Sequence, residues 1–224
     1  MKIHIIADAR RGEEIRQRLG NSHQYTLADS YREAAVDADV IFDVIASGFQ
    51  KTLKPLKGLF ADATFVPARK YIQRFGIPSD ISVFGFCGLP SFINRPLLEV
   101  SLPSADNEAT LKSLCSELNL AYGISSDTTG LVTPRVICMI INEAFFTLEE
   151  GTATRKDIDL AMKLGTNYPF GPFEWCDIIG AANVVKVLDT VREATGNERY
   201  VVCNLLRDTA HRIQQTNNAQ VSHD

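Results

Sequence analysis

Apolar positions along the chain follow two rhythms. Through the first hundred residues, short apolar runs alternate with polar stretches, and residues 3–6, 24–27, 40–45, 59–63, 82–86 and 97–102 read as strands. Between them, residues 12–19, 31–36, 48–53 and 67–75 are short and amphipathic, as crossover helices are. The unbroken run Val40-Ile41-Phe42-Asp43-Val44-Ile45 suits a strand covered on both faces. Strands that alternate with crossovers predict a mostly parallel, doubly wound sheet with helices on both sides.

After Pro103 the rhythm changes to one of helices only. Ser104 can cap a helix that carries Leu111, Leu114, Cys115 and Leu118 on one face. Residues 136–148 form the most apolar segment of the chain, at helical spacing, and Gly151 stops it. Thr154-Arg155-Lys156-Asp157 reads as a capping box opening a helix that ends at Gly165. Further helices fit residues 181–195 and 199–215, before a polar tail expected to fray. The prediction is an α/β domain over residues 1–103 and an all-helical domain over residues 104–224.

Charge and composition narrow the function classes. Apolar residues make up 45% and charged residues 22%, as in a globular protein. With 23 Lys plus Arg against 27 Asp plus Glu and no basic stripe, nucleic acid is not an expected partner. No apolar run approaches the ~18 residues that span a bilayer, so no membrane partner is expected. The N-terminus lacks the order of a signal peptide. Five scattered cysteines without a CxxC pair read as reduced thiols in a cytoplasmic protein, with no metal site.

Two segments carry a family likeness. One is Leu131-Val132-Thr133-Pro134-Arg135 followed by Asn142-Glu143-Ala144; the other runs from Asp157 through Met162-Lys163-Leu164-Gly165 to Tyr168-Pro169-Phe170-Gly171-Pro172-Phe173-Glu174. Together they resemble the C-terminal helical domain of the 3-hydroxyacyl-CoA dehydrogenases. Physically the string is mainly packing: Gly165 ends a helix, Pro169 and Pro172 stiffen a turn, and Phe170, Phe173 and Trp175 supply large buried area. The resemblance implies a shortened Rossmann-like domain before it, a homodimer through the helical domain, and NAD-dependent oxidation of 3-hydroxyacyl-CoA in fatty-acid metabolism.

The chemical positions depart from that pattern. A dinucleotide loop uses glycines so that pyrophosphate can approach backbone N–H groups. The matching stretch here reads Ala7-Asp8-Ala9-Arg10-Arg11-Gly12, so only Gly12 of three glycines is retained. Asp8 puts a negative charge beside an anion site, which Arg10 and Arg11 can offset. Asp29, 17 residues after Gly12, is the candidate ribose carboxylate, and its alternative is an ordinary turn or cap residue. The stretch from Asp29 to Val40 is shorter than the helical excursion that the family carries there.

The resemblance also implies a catalytic His oriented by a carboxylate. Leu97-Leu98-Glu99-Val100 fits the carboxylate's segment, which gives Glu99 that position and leaves Cys87 at the histidine's. The chain's histidines are His4, His23, His211 and His223, none of them between residues 24 and 210. Cys87 reads either as a thiolate base or as a packed thiol. Thr64 falls where the family keeps a hydroxyl near the substrate, and Pro134 replaces an Asn. The expectation is therefore a dehydrogenase-like protein with impaired cofactor binding and catalysis. Its alternative is a non-catalytic, dimeric binder of acyl-CoA or another small ligand, or a partner subunit.

Overall fold

The computed structural model describes residues 1–46 and 48–221. The chain divides into two compact units, Met1–Val132 and Thr133–Asp224. The first holds a seven-stranded sheet: β1 (Lys2–Ile6), β2 (Gln24–Ala28), β3 (Val40–Asp43), β4 (Gly58–Asp62), β5 (Val83–Phe86), β6 (Leu98–Ser101) and β7 (Tyr122–Ser125). Their order is β2-β1-β3-β4-β5-β6-β7, parallel throughout except where β6 runs against β5. Helices α1 (Ala9–Leu19), α2 (Ala68–Phe75) and α3 (Glu108–Glu117) complete the unit. This is the doubly wound, Rossmann-like sheet that the alternation predicts.

Register fixes the centre of this sheet. Phe42, Phe60 and Phe84 are level with one another on β3, β4 and β5. Phe42 stacks on Phe60 at 4.6 Å between centroids, and Phe60 meets Phe84 at 5.1 Å. Phe86 closes the cluster edge-on against Phe42 at 5.8 Å. All four rings are fully buried, and such pairs add to the area they remove from water.

Three expectations are corrected. The boundary at residue 103 is too early: Leu111, Leu114 and Cys115 of α3 join the sheet's core, and β7 pairs in parallel with β6. The α/β unit therefore runs on to Val132. Second, neither residues 31–36 nor residues 48–53 form a helix. Described residues there run irregularly, joined by a single bridge from Val36 to Thr52. The buried Gln50 side chain accepts from Arg32 N–H at 3.1 Å and donates to the Ala34 carbonyl at 2.6 Å, supplying bonds a helix would have made. Third, the proline-rich string is not only a turn, because Pro172–Ile179 is helical.

The second unit comprises α4 (Thr133–Glu149), α5 (Arg155–Thr166), α6 (Pro172–Ile179), α7 (Ala181–Thr195) and α8 (Asn204–Val221). Thr154 caps α5 as expected. Pro172 occupies the first turn of α6, where its missing N–H costs nothing, and Glu174 reaches back to Gly171 N–H at 2.9 Å. Buried Asn142 on α4 accepts from Cys203 N–H and donates to the Val201 carbonyl, both at 2.9 Å, and α8 starts just beyond. Through Val221 the expected frayed tail is helical, and residues 222–224 lie outside the described ones. No described helix is long and apolar enough to cross a membrane. Because Phe60 touches three other rings, Phe60→Ala is expected to cost about 3–5 kcal/mol in urea denaturation. A loss below about 1 kcal/mol would show that the cavity collapses and that the stack does not set the core.

Candidate functional site

In a doubly wound sheet, ligands settle at the carboxyl ends of the strands where the winding reverses. Here the reversal lies between β1 and β3, since the chain passes from β1 out to β2 on one side and then back to β3 on the other. The structure brings Ala7, Ala9, Gly12 and Asp29 to that edge. Gly12 packs α1 against the sheet so closely that a Cβ would lie 2.9 Å from Leu27 Cδ2. Ala7 is buried and Ala9 exposed. Asp29 is exposed just beyond β2, where it accepts the Ser30 hydroxyl at 3.0 Å. Gly12 and Asp29 thus fit a dinucleotide, whereas the helix start does not.

Asp8 is the N-cap of α1, and its carboxylate accepts the Arg11 N–H at 3.0 Å. A backbone donor free to face a phosphate in an open loop is thereby taken. Partial burial works to raise the Asp8 carboxyl, but hydrogen bonds from the Arg11 backbone and guanidinium hold it below the ordinary range. Arg11 Nη1 also approaches the carbonyls of Val44 and Gly88, each at 3.4 Å.

A second cluster lies at the ends of β4 and β5. Gly88 is packed so tightly over Asp62 and Val44 that a Cβ there would come 2.8 Å from Asp62 Cγ. Asp62 Oδ1 accepts the N–H groups of Thr64 at 2.9 Å and Gly88 at 3.0 Å, together with the Thr64 hydroxyl. The fully buried Thr64 hydroxyl lies 3.4 Å from Cys87 Sγ. Gly85 pairs with Ser101 and Phe86 with Val100, so the next step of that ladder sets Cys87 opposite Glu99. Burial, then the Asp62 charge, pushes the Cys87 thiol up and keeps it protonated at neutral pH. That corrects the thiolate reading of Cys87 in favour of a packed thiol.

The histidines do not fill the gap. His4 sits in β1 against the Thr26 hydroxyl at 2.8 Å. His23 lies near the N-terminal amine before β2, at the other end of the sheet. His211 is exposed on α8, and His223 falls outside the described residues.

The segment leading out of this unit is anchored at the same edge. Buried Asp127 accepts the N–H groups of Ala68 at 2.7 Å and Arg69 at 2.9 Å, capping α2 where Pro67 offers no side-chain acceptor. Ser101 donates to the same carboxylate at 3.1 Å. Gly130 N–H meets the Thr64 carbonyl at 2.9 Å, Leu131 takes a left-handed φ of 48°, and Val132 N–H donates to Glu99 at 2.6 Å. A left-handed Leu costs energy that these anchors must supply.

Residues 130–220 match the family model described as 3-hydroxyacyl-CoA dehydrogenase, C-terminal domain. A 3-hydroxyadipyl-CoA dehydrogenase of Escherichia coli is 42% identical over 85 residues, covering 38% of this chain and 18% of that protein. A probable 3-hydroxybutyryl-CoA dehydrogenase of Bacillus subtilis is 25% identical over 226 residues, covering 92% of this chain and 76% of that one. Its helical unit belongs, over residues 130–220, to the 3-hydroxyacyl-CoA dehydrogenase family. The chain's fold is that of the (S)-3-hydroxybutyryl-CoA dehydrogenase of Ralstonia eutropha, with a TM-score of 0.68 at 18% identity over 92% of each chain. The chain spans less than a fifth of the length of the E. coli relative.

Of the residues the sequence singled out, Thr64 and Cys87 lie in contact, while Asp62, Asp127 and the reach of Arg11 went unnoticed. Asp62 carried a signal, since a carboxylate at the end of an apolar strand must find backbone donors there. Burial raises the Asp62 carboxyl above its ordinary 3.8. A carboxyl whose folded pKa is raised keeps its proton longer in the native state, so it costs stability as pH climbs above about 4. Asp62→Asn is therefore expected to gain stability relative to the natural protein as pH rises above about 4, measured by urea denaturation. A difference that does not change with pH would show that Asp62 titrates normally.

Proposed function

We propose that this protein is a 3-hydroxyacyl-CoA dehydrogenase relative that retains the family scaffold and has lost most or all of its NAD-linked oxidation of 3-hydroxyacyl-CoA. The observation that carries the reading is the buried Cys87 at the end of β5, beside the strand that carries Glu99, with no histidine of the described residues at that edge. Oxidising the hydroxyl needs a group that accepts its proton near neutral pH, and imidazole does so while a carboxylate orients it. Cys87 offers no such acceptor, and Glu99 is left holding the Val132 N–H.

Cofactor binding is a separate step and is weakened separately. Gly12 and Asp29 suit a dinucleotide; Ala7, Ala9 and the Asp8–Arg11 pair do not. With that misfit, no step of the reaction is assigned to bound NAD.

A dimer through the helical unit belongs to the same reading. Phe145 does not support it, because this side chain is buried within its own unit, 4.9 Å from Phe173. Support comes instead from an apolar groove of about 500 Å³ between α4 and α5, lined by Ile140, Ala144, Ile158, Ala161 and Met162. A dimeric binder of acyl-CoA is favoured over an active enzyme to the extent that the scaffold persists without the base.

Two measurements test this. Turnover of acetoacetyl-CoA with NADH is expected to fall at least about 10²-fold below that of a His-containing family member. Turnover equal to such an enzyme would refute the impaired reading, and a rise in Cys87→His would show that only the base is missing. Light scattering at micromolar concentration is expected to give the mass of two chains, and a monomer would remove the dimer.

A further inference from the structure

Of the four arginines on α1, Arg18 reaches the Arg95 and Pro96 carbonyls at the helix end, and the other three differ among themselves. Arg10 pairs with Glu14 and Arg16 with Glu13 on the helix surface, their side chains 59% and 45% exposed. Arg11 is 20% exposed, and its contacts leave the helix. Its guanidinium pairs with Asp8, reaches the Val44 carbonyl at the end of β3 and the Gly88 carbonyl beyond β5, and lies in the field of Asp62. Those groups border the winding reversal, where a dinucleotide would have to lie.

Each partner of Arg11 is an acceptor. With the guanidinium withdrawn, the crevice would offer the Asp8 carboxylate and two carbonyls to an incoming pyrophosphate, which repels rather than binds it. With the guanidinium in place, these acceptors are paired. The Asp8 carboxylate, meanwhile, takes the helix donor that a phosphate would use. An internal anion and an internal cation thus stand together where an external ligand would supply the anion.

We propose that Arg11 is an internal latch that closes the dinucleotide crevice, and that it, together with its Asp8 partner, sets the weak preference of this site for dinucleotides. This rests on reading the crevice as the family's dinucleotide site. A ligand must then displace Arg11 before it can bind, so its apparent affinity is lowered by the fraction of molecules in which the latch is open. The latch differs from the steric effect of Ala7 and Ala9, because it belongs to a side chain able to rotate away.

The test measures NADH binding by calorimetry and by NADH fluorescence. Arg11→Ala and Arg11→Gln, each combined with Asp8→Asn so that no unpaired carboxylate is left at the helix start, are made both in the natural chain and in a chain carrying Ala7→Gly with Ala9→Gly. Circular dichroism and thermal melting check folding, and the Gln variant keeps the side chain's length should Ala unsettle the turn. In the glycine background, either replacement is expected to tighten NADH binding at least about tenfold over the protein that keeps Arg11.

Tightening by the glycines with nothing added by the Arg11 replacements would overturn the latch and leave the dinucleotide-site reading intact. Weaker binding without Arg11 would mean that it contacts the ligand, which also overturns the latch. If no variant binds NADH, both the latch and the reading beneath it fail. Tight binding by the natural chain would show that the crevice is already open and would overturn the latch at once.

Discussion

The register across β3, β4 and β5 governs what the rest of this structure can be. Phe42, Phe60 and Phe84 stand level and pack ring on ring, so a slip of one residue in any of the three strands would turn a phenylalanine to the opposite face. That pinning fixes where each strand ends. The ends in turn determine that Val44, Asp62 and Cys87 emerge at one edge, within reach of the α1 start. Chemistry at this edge is thus a by-product of core packing several residues away. The same logic explains Gly88, which is tolerated against Asp62 and Val44 only because it has no side chain.

Legibility in the sequence followed the strength of the local signal. Six strands were readable because each is an apolar run bounded by polar residues, and α4, α5 and α7 because their spacing is helical. β7 was not, since Tyr122-Gly123-Ile124-Ser125 is four residues long, contains a glycine and lies at the sheet's edge without a buried face. Its existence depends on β6 being there to pair with. Residues 31–36 and 48–53 failed in the opposite sense: their amphipathic pattern is real, but Gln50 and the Val36 bridge satisfy the backbone without a helix.

The site was legible by position and not by environment. Thr64 and Cys87 lie in contact and Glu99 is on the neighbouring strand β6, because strand register carries sequence position into space. What the sequence could not convey was the state of the thiol, which depends on burial and on Asp62, or the path of Arg11, which turns on contacts 33 and 77 residues distant. The residues that hold strands and helices in place are distinct from those that move protons, and either set can change without the other.

Asn142 has a bearing on the order in which the helical unit can mature. Its side-chain amide is buried in the first half of that unit and satisfied only by the backbone at Val201 and Cys203. During synthesis α4 leaves the ribosome some sixty residues before those partners exist. Until they do, a packed α4 would carry an amide with neither a donor nor an acceptor, a state costly enough to disfavour early collapse. The packing around Asn142 is thus complete only once the turn before α8 is in place.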